Sequence, residues 1–344
     1  MQFLKSHDND FDTARAFLIV SMVFTHIYEM FYIPDYNRNY TFFVTIGFVL
    51  LAGFTNSIRY SNKVYERHSK YFMRYFKRFT KLLVLFIVTN IIVMAILPEK
   101  YILLTQLSPV KIIQCALLGS KSNIFAFDVL VPIAFTILLS WGLLSIASDK
   151  WAFITAVCLI SLSALGGRVA KGYLNSYFIS MTLVGLTGSA VGKLISTLNW
   201  DDFMKKMIKT YMTEITAILT ILYFLALIFL TKKGVHLPWF INFIPTIIIL
   251  FFIYLVSRKM NLNNYRPIKF ITEPLSKHTL FAYLFHILII NILFNIIPKG
   301  SLNSIACLFL GIFVLLVTLG MCYLIEYING ESTLAKRTYS MLFK

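Results

Sequence analysis

Residues 11–32 read FDTARAFLIVSMVFTHIYEMFY, an apolar segment that is long enough to cross a lipid bilayer as one helix. The segment nevertheless carries four ionisable side chains, which are Asp12, Arg15, His26 and Glu29. An ionisable group at the centre of a membrane helix costs about 3 kcal/mol or more, so such groups usually face a protein interior or a water-filled cavity. The segment therefore predicts a membrane helix that contributes to a functional site.

The ionisable side chains share one face of this predicted helix. At about 100° per residue, Arg15 and His26 are separated by roughly 20° around the helix axis. Asp12 and Glu29 complete an arc of about 100°. A rise of about 1.5 Å per residue places His26 roughly 16 Å from Arg15, near the middle of a hydrocarbon core about 30 Å thick. Two interpretations remain open, a catalytic centre and interhelical hydrogen bonds that only specify packing.

Composition extends the membrane assignment to the whole chain. Of the 344 residues 58% are hydrophobic, whereas soluble domains contain roughly 45–50% apolar residues. Ten apolar segments predict an all-α polytopic protein with ten membrane spans, and the whole chain 1–344 is expected to form a single transmembrane domain with no separate soluble domain. The predicted spans are 12–33, 40–58, 79–97, 123–147, 151–167, 176–196, 211–231, 238–257, 277–297 and 303–327.

The net charge of +17 at pH 7 would suggest nucleic-acid binding in a soluble protein. In a membrane protein, an excess of Lys and Arg instead marks the cytoplasmic loops. With both termini in the cytoplasm, 23 of the 32 Lys and Arg fall on the inner side of the membrane. We therefore expect cytoplasmic termini, contact with anionic membrane lipids and no nucleic-acid partner.

A cluster of cations precedes the third predicted span. Residues 59–81 contain eight Lys and Arg, and four of them recur at spacings of three and four, which places them on one side of a helix. These four are Arg74, Lys77, Arg78 and Lys81. They predict either a phosphate-binding site, where Arg would bind bidentately, or simple attraction to anionic lipids.

A second group of polar side chains lies in residues 275–294, LSKHTLFAYLFHILIINILF. Ser276, Tyr283 and His286 are candidates to supply hydrogen-bond donors and acceptors to a cavity. A hydrogen bond from His286 to a neighbouring helix carbonyl is equally compatible with the pattern. We expect His278, at the start of the span, to be solvated at the membrane surface.

Asp128 lies near the outer end of the fourth predicted span. A lone carboxylate in a membrane segment is a functional candidate because its charge is expensive there. It would orient His26, balance its charge or line an entrance for an acceptor. It would have no such role if that end of the span is exposed to water.

Prolines and glycines predict where the helices bend or approach one another. Pro132 and Pro245 lie inside predicted spans and predict kinked or broken helices. Gly53 lies in the sequence LLAGF, where the missing side chain permits close approach of another helix.

Several kinds of site are not indicated. The four cysteines show no CxxC or Cys/His spacing, and the six histidines are scattered along the chain, so the sequence predicts neither a disulfide framework nor a metal site. No Walker loop and no GxGxxG motif occurs.

The first helix resembles the opening motif of the acyltransferase-3 family of integral-membrane acyltransferases. In that family an Asp precedes an Arg, which is followed by ten residues and a His. DTARAFLIVSMVFTH matches this pattern with Asp12, Arg15 and His26. The first helix is also similar to that of the related heparan-glucosaminide acetyltransferase type.

Three later motifs extend the resemblance over residues 11–286. FVLLAGF resembles a second-helix motif that ends in Ser-Gly-Phe, with Ala52 where serine is usual, so no hydroxyl role is implied there. RYFKRFTKL, residues 74–82, is similar to the basic start of the third span. SKHTLFAYLFH, residues 276–286, resembles a late helix that carries Tyr-x-x-His.

The resemblance implies an acyl donor, usually acetyl-CoA presented from the cytoplasm, and an acceptor hydroxyl on a carbohydrate at the outer side of a bacterial inner membrane. It implies that His26 acts as general base with Arg15 as its essential partner, and that the cations of residues 74–81 hold the CoA phosphates. Transient acylation of His26 is an alternative. A non-catalytic transporter or channel that exports a glycan or an anion is the alternative function, although no internal repeat of the kind common in transporters is visible.

Overall fold

The structure, a computed structural model, describes residues 9–32, 42–66, 68–96, 129–146, 149–169, 176–197, 211–232, 243–260, 262, 265–298 and 300–343. Within these ranges the chain forms twelve α-helices and no named strand, which confirms the predicted all-α class. The helices are α1 Asn9–Phe31, α2 Phe42–Glu66, α3 His68–Ile96, α4 Leu130–Ile146, α5 Asp149–Val169, α6 Ser176–Thr197, α7 Met212–Lys232, α8 Phe243–Lys259, α9 Arg266–Lys277, α10 Thr279–Phe294, α11 Ser304–Glu331 and α12 Thr333–Phe343.

Each predicted span overlaps one of these helices, because a long apolar segment in a bilayer must satisfy its backbone hydrogen bonds internally. By length and composition, three helices of the described chain can cross a membrane, namely Phe11–Phe31, Phe178–Ser196 and Ser304–Glu331. The pair α9 and α10 gives a fourth if the two helices form one broken span. The count of ten spans and the cytoplasmic termini stay predictions.

Large apolar side chains lie on the surface of several helices. On α7 and α11 they include Ile218, Ile221, Leu222, Leu225, Phe309, Phe313 and Leu316. Soluble monomers rarely expose contiguous apolar surfaces of this kind, whereas lipid tails cover them at no cost. The exposed apolar helices and the polytopic pattern indicate an integral membrane protein.

The chain divides into two compact units. The first comprises Met1–His7 and Thr45–Thr210, and the second comprises Asp8–Val44 and Tyr211–Lys344. The first unit therefore contains nearly all of α2 together with α3 to α6, and the second contains α1 and α7 to α12. The prediction of a single transmembrane domain is left untested by this division.

Glycines allow close helix packing in the first unit, where α6 packs against α4 and α5. A Cβ atom on Gly53 of α2 would collide with the backbone oxygen of Gly185 on α6, and one on Gly188 would collide with the oxygen of Leu50. The packing role predicted for Gly53 is thus confirmed. Small residues at such crossings let two backbones approach, which strengthens van der Waals contact between helices in a bilayer.

Helix α1 lies at the centre of the second unit, where it packs against α8, α9, α10 and α11. Its buried side chains Val23, Ile27 and Phe31 join a core cluster with Ile290 of α10 and residues of α11. At the end of α1, the amide of Leu302 donates to the Phe31 carbonyl at 3.0 Å. This packing fixes which face of α1 remains available to its polar residues.

A sharp bend separates α9 from α10, whose axes differ by 91° at a break of one residue, His278. Pro274 lies inside the last turn of α9, one turn before the break, and its carbonyl accepts from the His278 amide. Pro132 and Pro245 lie in the first turn of the described helices α4 and α8. A proline is tolerated there since the backbone N–H groups of the first turn have no partner within the helix. Residues 123–128 and 238–242 of their predicted spans lie outside the described residues, so the kinks or breaks expected at the two prolines stay predictions.

Candidate active site

His26 lies on the partly exposed face of α1. Its side chain is 33% exposed, and its Nδ1 atom is 3.9 Å from Oε2 of Glu29, one turn further along the helix. A carboxylate this close to Nδ1 favours the tautomer with the proton on that nitrogen, which leaves the lone pair on Nε2. His26 therefore combines an accessible imidazole with a nearby carboxylate.

A second imidazole faces His26 from α10. The ring centroids of His26 and His286 are 5.8 Å apart with an interplanar angle of 25°. His286 is fully buried, and its Nδ1 lies 2.8 Å from the Ala282 carbonyl oxygen. Because a carbonyl only accepts hydrogen bonds, Nδ1 carries the proton and Nε2 of the neutral ring presents a lone pair. Nε2 has no hydrogen-bond partner within the described part of the chain.

The hydrogen bond from His286 to Ala282 agrees with the helix-carbonyl interpretation of this residue. The ring contact with His26 is an additional feature that the sequence pattern did not contain. Tyr283 stands one turn earlier on α10, with its ring centroid 5.9 Å from that of His286 in an edge-on arrangement. The structure therefore brings Tyr283 and His286 into one group with His26.

Ser276 is arranged differently from these two residues. It is buried at the end of α9, and its hydroxyl donates to the carbonyl of Glu273 at 3.0 Å. Thr279 in turn donates to the Ser276 carbonyl at 2.5 Å. These bonds satisfy backbone oxygens at the α9–α10 break, where the regular helical bonds end. The contacts of Ser276 thus belong to the helix break.

Arg15 and Asp12 form an ion pair one turn apart on α1. Nη1 of Arg15 lies 2.6 Å from Oδ1 of Asp12, and the two side chains are 17% and 16% exposed. Close by, Ser257 of α8 donates to the Thr13 hydroxyl at 3.2 Å, which ties this end of α1 to α8. Asp12 therefore orients the guanidinium group of Arg15 while α8 holds the helix that carries both residues.

The four predicted phosphate ligands of α3 divide into two pairs. Arg74 and Lys77 are exposed, and the guanidinium carbon of Arg74 lies 5.3 Å from the centre of the Tyr71 ring. Arg78 and Lys81 are half-buried. Nη1 of Arg78 donates to Oδ1 of Asn56 on α2 at 3.4 Å. The structure thus directs Arg78 towards the interior of the first unit.

One buried group was missed by sequence reasoning. His278, predicted to be solvated, is 2% exposed because α12 covers it, and its Nδ1 lies 2.5 Å from the Tyr339 hydroxyl. Nε2 of His278 lies 3.9 Å from Glu326 of α11. No local sequence pattern predicts this group, since its members come from the α9–α10 break, from α11 and from α12. Asp128 lies outside the described residues.

Comparison with known proteins identifies the family of the chain. A sequence family described as an acyltransferase domain, the acyltransferase-3 family, matches residues 8–327. No curated protein and no solved structure shows a significant match to the chain. The match extends over nearly the whole sequence and includes α1 to α10. The chain therefore belongs to the acyltransferase-3 family of membrane acyltransferases.

Proposed function

We propose that the protein is a membrane O-acyltransferase that moves an acyl group, most simply acetyl, from acyl-CoA to a hydroxyl of a cell-surface or exported polysaccharide. The observation that carries the proposal is the environment of His26, which is partly exposed, lies 3.9 Å from Glu29 and faces the buried ring of His286. An accessible imidazole beside a carboxylate is suited to accept and return a proton.

In the proposed reaction, Nε2 of His26 takes the proton of the acceptor hydroxyl. The hydroxyl oxygen attacks the thioester carbonyl carbon, and the tetrahedral intermediate expels the CoA sulfur, which recovers the proton from His26. The products are an ester of the acceptor and free CoA thiol. Glu29 stabilises the imidazolium ring that exists between the two proton transfers. Acylation of His26 itself, followed by transfer to the acceptor, is the alternative sequence of steps.

Arg15 is proposed as the essential partner of His26. Its guanidinium group is held by Asp12 at 2.6 Å. An oriented guanidinium is a strong donor to oxygen atoms that carry negative charge, such as those of the acyl donor. Asp12 is therefore a positioning residue for Arg15.

The roles proposed for the remaining candidate residues follow from the chemistry of their side chains. The cations of α3, which are Arg74, Lys77, Arg78 and Lys81, would bind the phosphates of the donor at the cytoplasmic side. Tyr283 and His286 would contact the carbohydrate acceptor beside His26, with Ser276 at the adjacent helix break. Asp128 is kept as a candidate from its sequence position alone. A bacterial inner membrane is the proposed location.

The test is release of free thiol from acetyl-CoA by purified protein, with and without added glycan. We expect the wild type to release thiol, His26→Ala to lose this activity, and Arg78→Ala to bind the donor more weakly. Thr25→Ala is the matched control, because it alters the neighbouring position of α1, where the hydroxyl only donates to the Ser21 carbonyl. Full activity in a folded His26→Ala protein would refute the assignment of the base.

A transporter or channel for a glycan or anion is the second candidate function. The 91° break between α9 and α10 favours it, because broken helices are common at transporter binding sites. Reconstituted protein that moves labelled glycan across vesicles without any turnover of several acyl-CoA donors would support this alternative.

A further inference from the structure

Two adjacent polar side chains are buried in the middle of α2 in the first unit. Asn56 is 6% exposed and Ser57 is 0% exposed. Nδ2 of Asn56 and Oγ of Ser57 have no hydrogen-bond partner among the residues that the structure describes. Buried polar groups in folded proteins nearly always have partners, so two neighbouring exceptions call for an explanation.

Arg78 fixes the orientation of the Asn56 amide. The Arg78 guanidinium donates to Oδ1 of Asn56 at 3.4 Å. Guanidinium groups have only donors, so the amide cannot be reversed without placing its NH₂ group against another donor. Nδ2 is therefore a genuine donor in this position, and it is the amide atom that needs an acceptor.

Ser57 faces the neighbouring helix α6. A Cβ atom built on Gly192 would lie 3.0 Å from Cβ of Ser57, so the glycine allows α6 to pack directly against this serine. The next residue of α6 is Lys193, a cation that is only 8% exposed. On the Asn56 side, the Arg78 guanidinium supplies a positive charge directly beside the amide.

The missing partner of the Asn56 amide must be an acceptor. An amide NH₂ and a guanidinium only donate hydrogen bonds, and the Ser57 hydroxyl can donate one more. An anion with several oxygen atoms satisfies such a set, and a phosphate group offers three acceptor oxygens and a negative charge.

We propose that Asn56, Ser57 and Arg78 form a phosphate-binding site in the first unit, and that its ligand is a phosphate of the acyl donor. The assignment of the ligand rests on the proposed function. Arg78 supplies the charge, while Nδ2 of Asn56 and Oγ of Ser57 supply directed hydrogen bonds. A phospholipid headgroup has the same chemistry, and the experiment below separates the two sources.

The experiment measures binding to purified protein in nanodiscs of neutral lipid. The probes are acetyl-CoA, acetyl-pantetheine, which lacks phosphate, and inorganic pyrophosphate. We expect acetyl-CoA and pyrophosphate to raise the melting temperature of the wild type and acetyl-pantetheine to have little effect. A second set of nanodiscs contains anionic phospholipid without coenzyme.

The decisive variants are Ser57→Ala and Asn56→Asp. Ser57→Ala removes an unpartnered buried hydroxyl, so the unliganded protein should be at least as stable as the wild type, yet acetyl-CoA binding should weaken about tenfold. Asn56→Asp places a carboxylate beside Arg78, which preserves the fold and repels phosphate, so binding should weaken about a hundredfold. Arg78→Gln removes the charge of the site and should also weaken acetyl-CoA binding. Its charge-matched control is Arg337→Gln, which removes an exposed cation of α12.

The outcomes separate the proposal from its alternatives. Equal binding of acetyl-CoA by the wild type, Ser57→Ala and Asn56→Asp would overturn the site. Stabilisation by anionic phospholipid alone, lost in the same variants, would overturn the acyl donor as the source of the phosphate. Failure of the proposed function looks different, because the wild type would then bind acetyl-CoA through these residues but release no thiol.

Discussion

The imidazole rings of His26 and His286 lie with their centroids 5.8 Å apart and their planes inclined by 25°. His26 is partly exposed, whereas His286 is fully buried and donates through Nδ1 to the Ala282 carbonyl. The two rings therefore differ in role. His26 is reachable by a substrate, and His286 has one nitrogen held by the helix and a lone pair on the other.

Replacing His286 by Phe should retain the ring packing and remove this lone pair. Because the variant also removes a buried nitrogen without a partner, we expect thermal stability at or above that of the wild type. Acceptor-dependent thiol release should fall about tenfold, because the lone pair beside the His26 ring is lost. The measurement is the rate of thiol release over a range of glycan concentrations.

Leu284→Ala provides a control for general damage to α10, since this buried residue has no polar group. That variant should lose stability without a specific effect on the acceptor dependence. Wild-type kinetics in His286→Phe would show that His286 acts through packing alone.

The ion pair between Arg15 and Asp12 can be tested by comparing single and double variants. Asp12→Asn and Arg15→Gln should each destabilise the protein by about 1–3 kcal/mol, because each leaves a partly buried charge without its partner. The double variant should recover part of this loss. Thermal unfolding in detergent measures the effect.

Among these three variants, thiol release should not recover together with thermal stability. If Arg15 is the partner of His26, the double variant remains inactive although its fold is restored. Recovery of thiol release in the double variant would show that the ion pair only stabilises α1 and that Arg15 has no role in the reaction.

The crossing of α2 and α6 should not tolerate a methyl group. In Gly188→Ala the added Cβ collides with the Leu50 carbonyl oxygen, a backbone atom that cannot rotate away. We expect a loss of about 1–3 kcal/mol, typical of overpacking. Gly142→Ala is the control, because nothing lies within 4 Å of its added Cβ, and helix propensity alone should stabilise it by up to about 1 kcal/mol. Equal melting temperatures for the two variants would contradict the close crossing.

Tyr339 should hold the C-terminal helix α12 on the rest of the second unit. Its hydroxyl lies 2.5 Å from Nδ1 of His278, and its ring packs against the rings of His278 and Phe343. In Tyr339→Phe the buried His278 ring loses this partner, so α12 should detach more often. Lys336 and Arg337 are exposed on the same helix, and cleavage after them by trypsin should accelerate several-fold. An unchanged cleavage rate would argue against this role of the hydroxyl.

The same contact has a predictable pH dependence. Burial raises the pKa of Tyr339 above its usual value of 10.0, with further contributions from Cys322 and Glu326. A group whose pKa is raised by folding contributes stability that is present below the unfolded pKa and is lost as the pH rises through the folded pKa. Docking of α12 should therefore be insensitive to Tyr339 ionisation below pH 10 and weaken above it, and this dependence should disappear in Tyr339→Phe. Trypsin digestion across this pH range measures it.

The local sequence pattern is sufficient to predict the helices and the candidate site residues of α1. Residues 11–32 are apolar with four ionisable side chains on one face, and the period of the helix alone places Arg15 and His26 together on that face. Apolar length likewise predicts where helices occur, because backbone hydrogen bonds in a bilayer must be made within the segment. The acyltransferase-3 resemblance depends on these same local motifs, and the family match confirms it.

Contacts between distant segments were decided by tertiary structure. The pairing of His26 with His286, the burial of His278 beneath Tyr339 and the approach of Arg78 to Asn56 each join residues from different helices. Sequence spacing carries no information on which faces of two helices meet, since that depends on how side chains of both helices fit together. The sequence therefore determined the helices and the residue types of the site, whereas packing determined which of those residues share one environment.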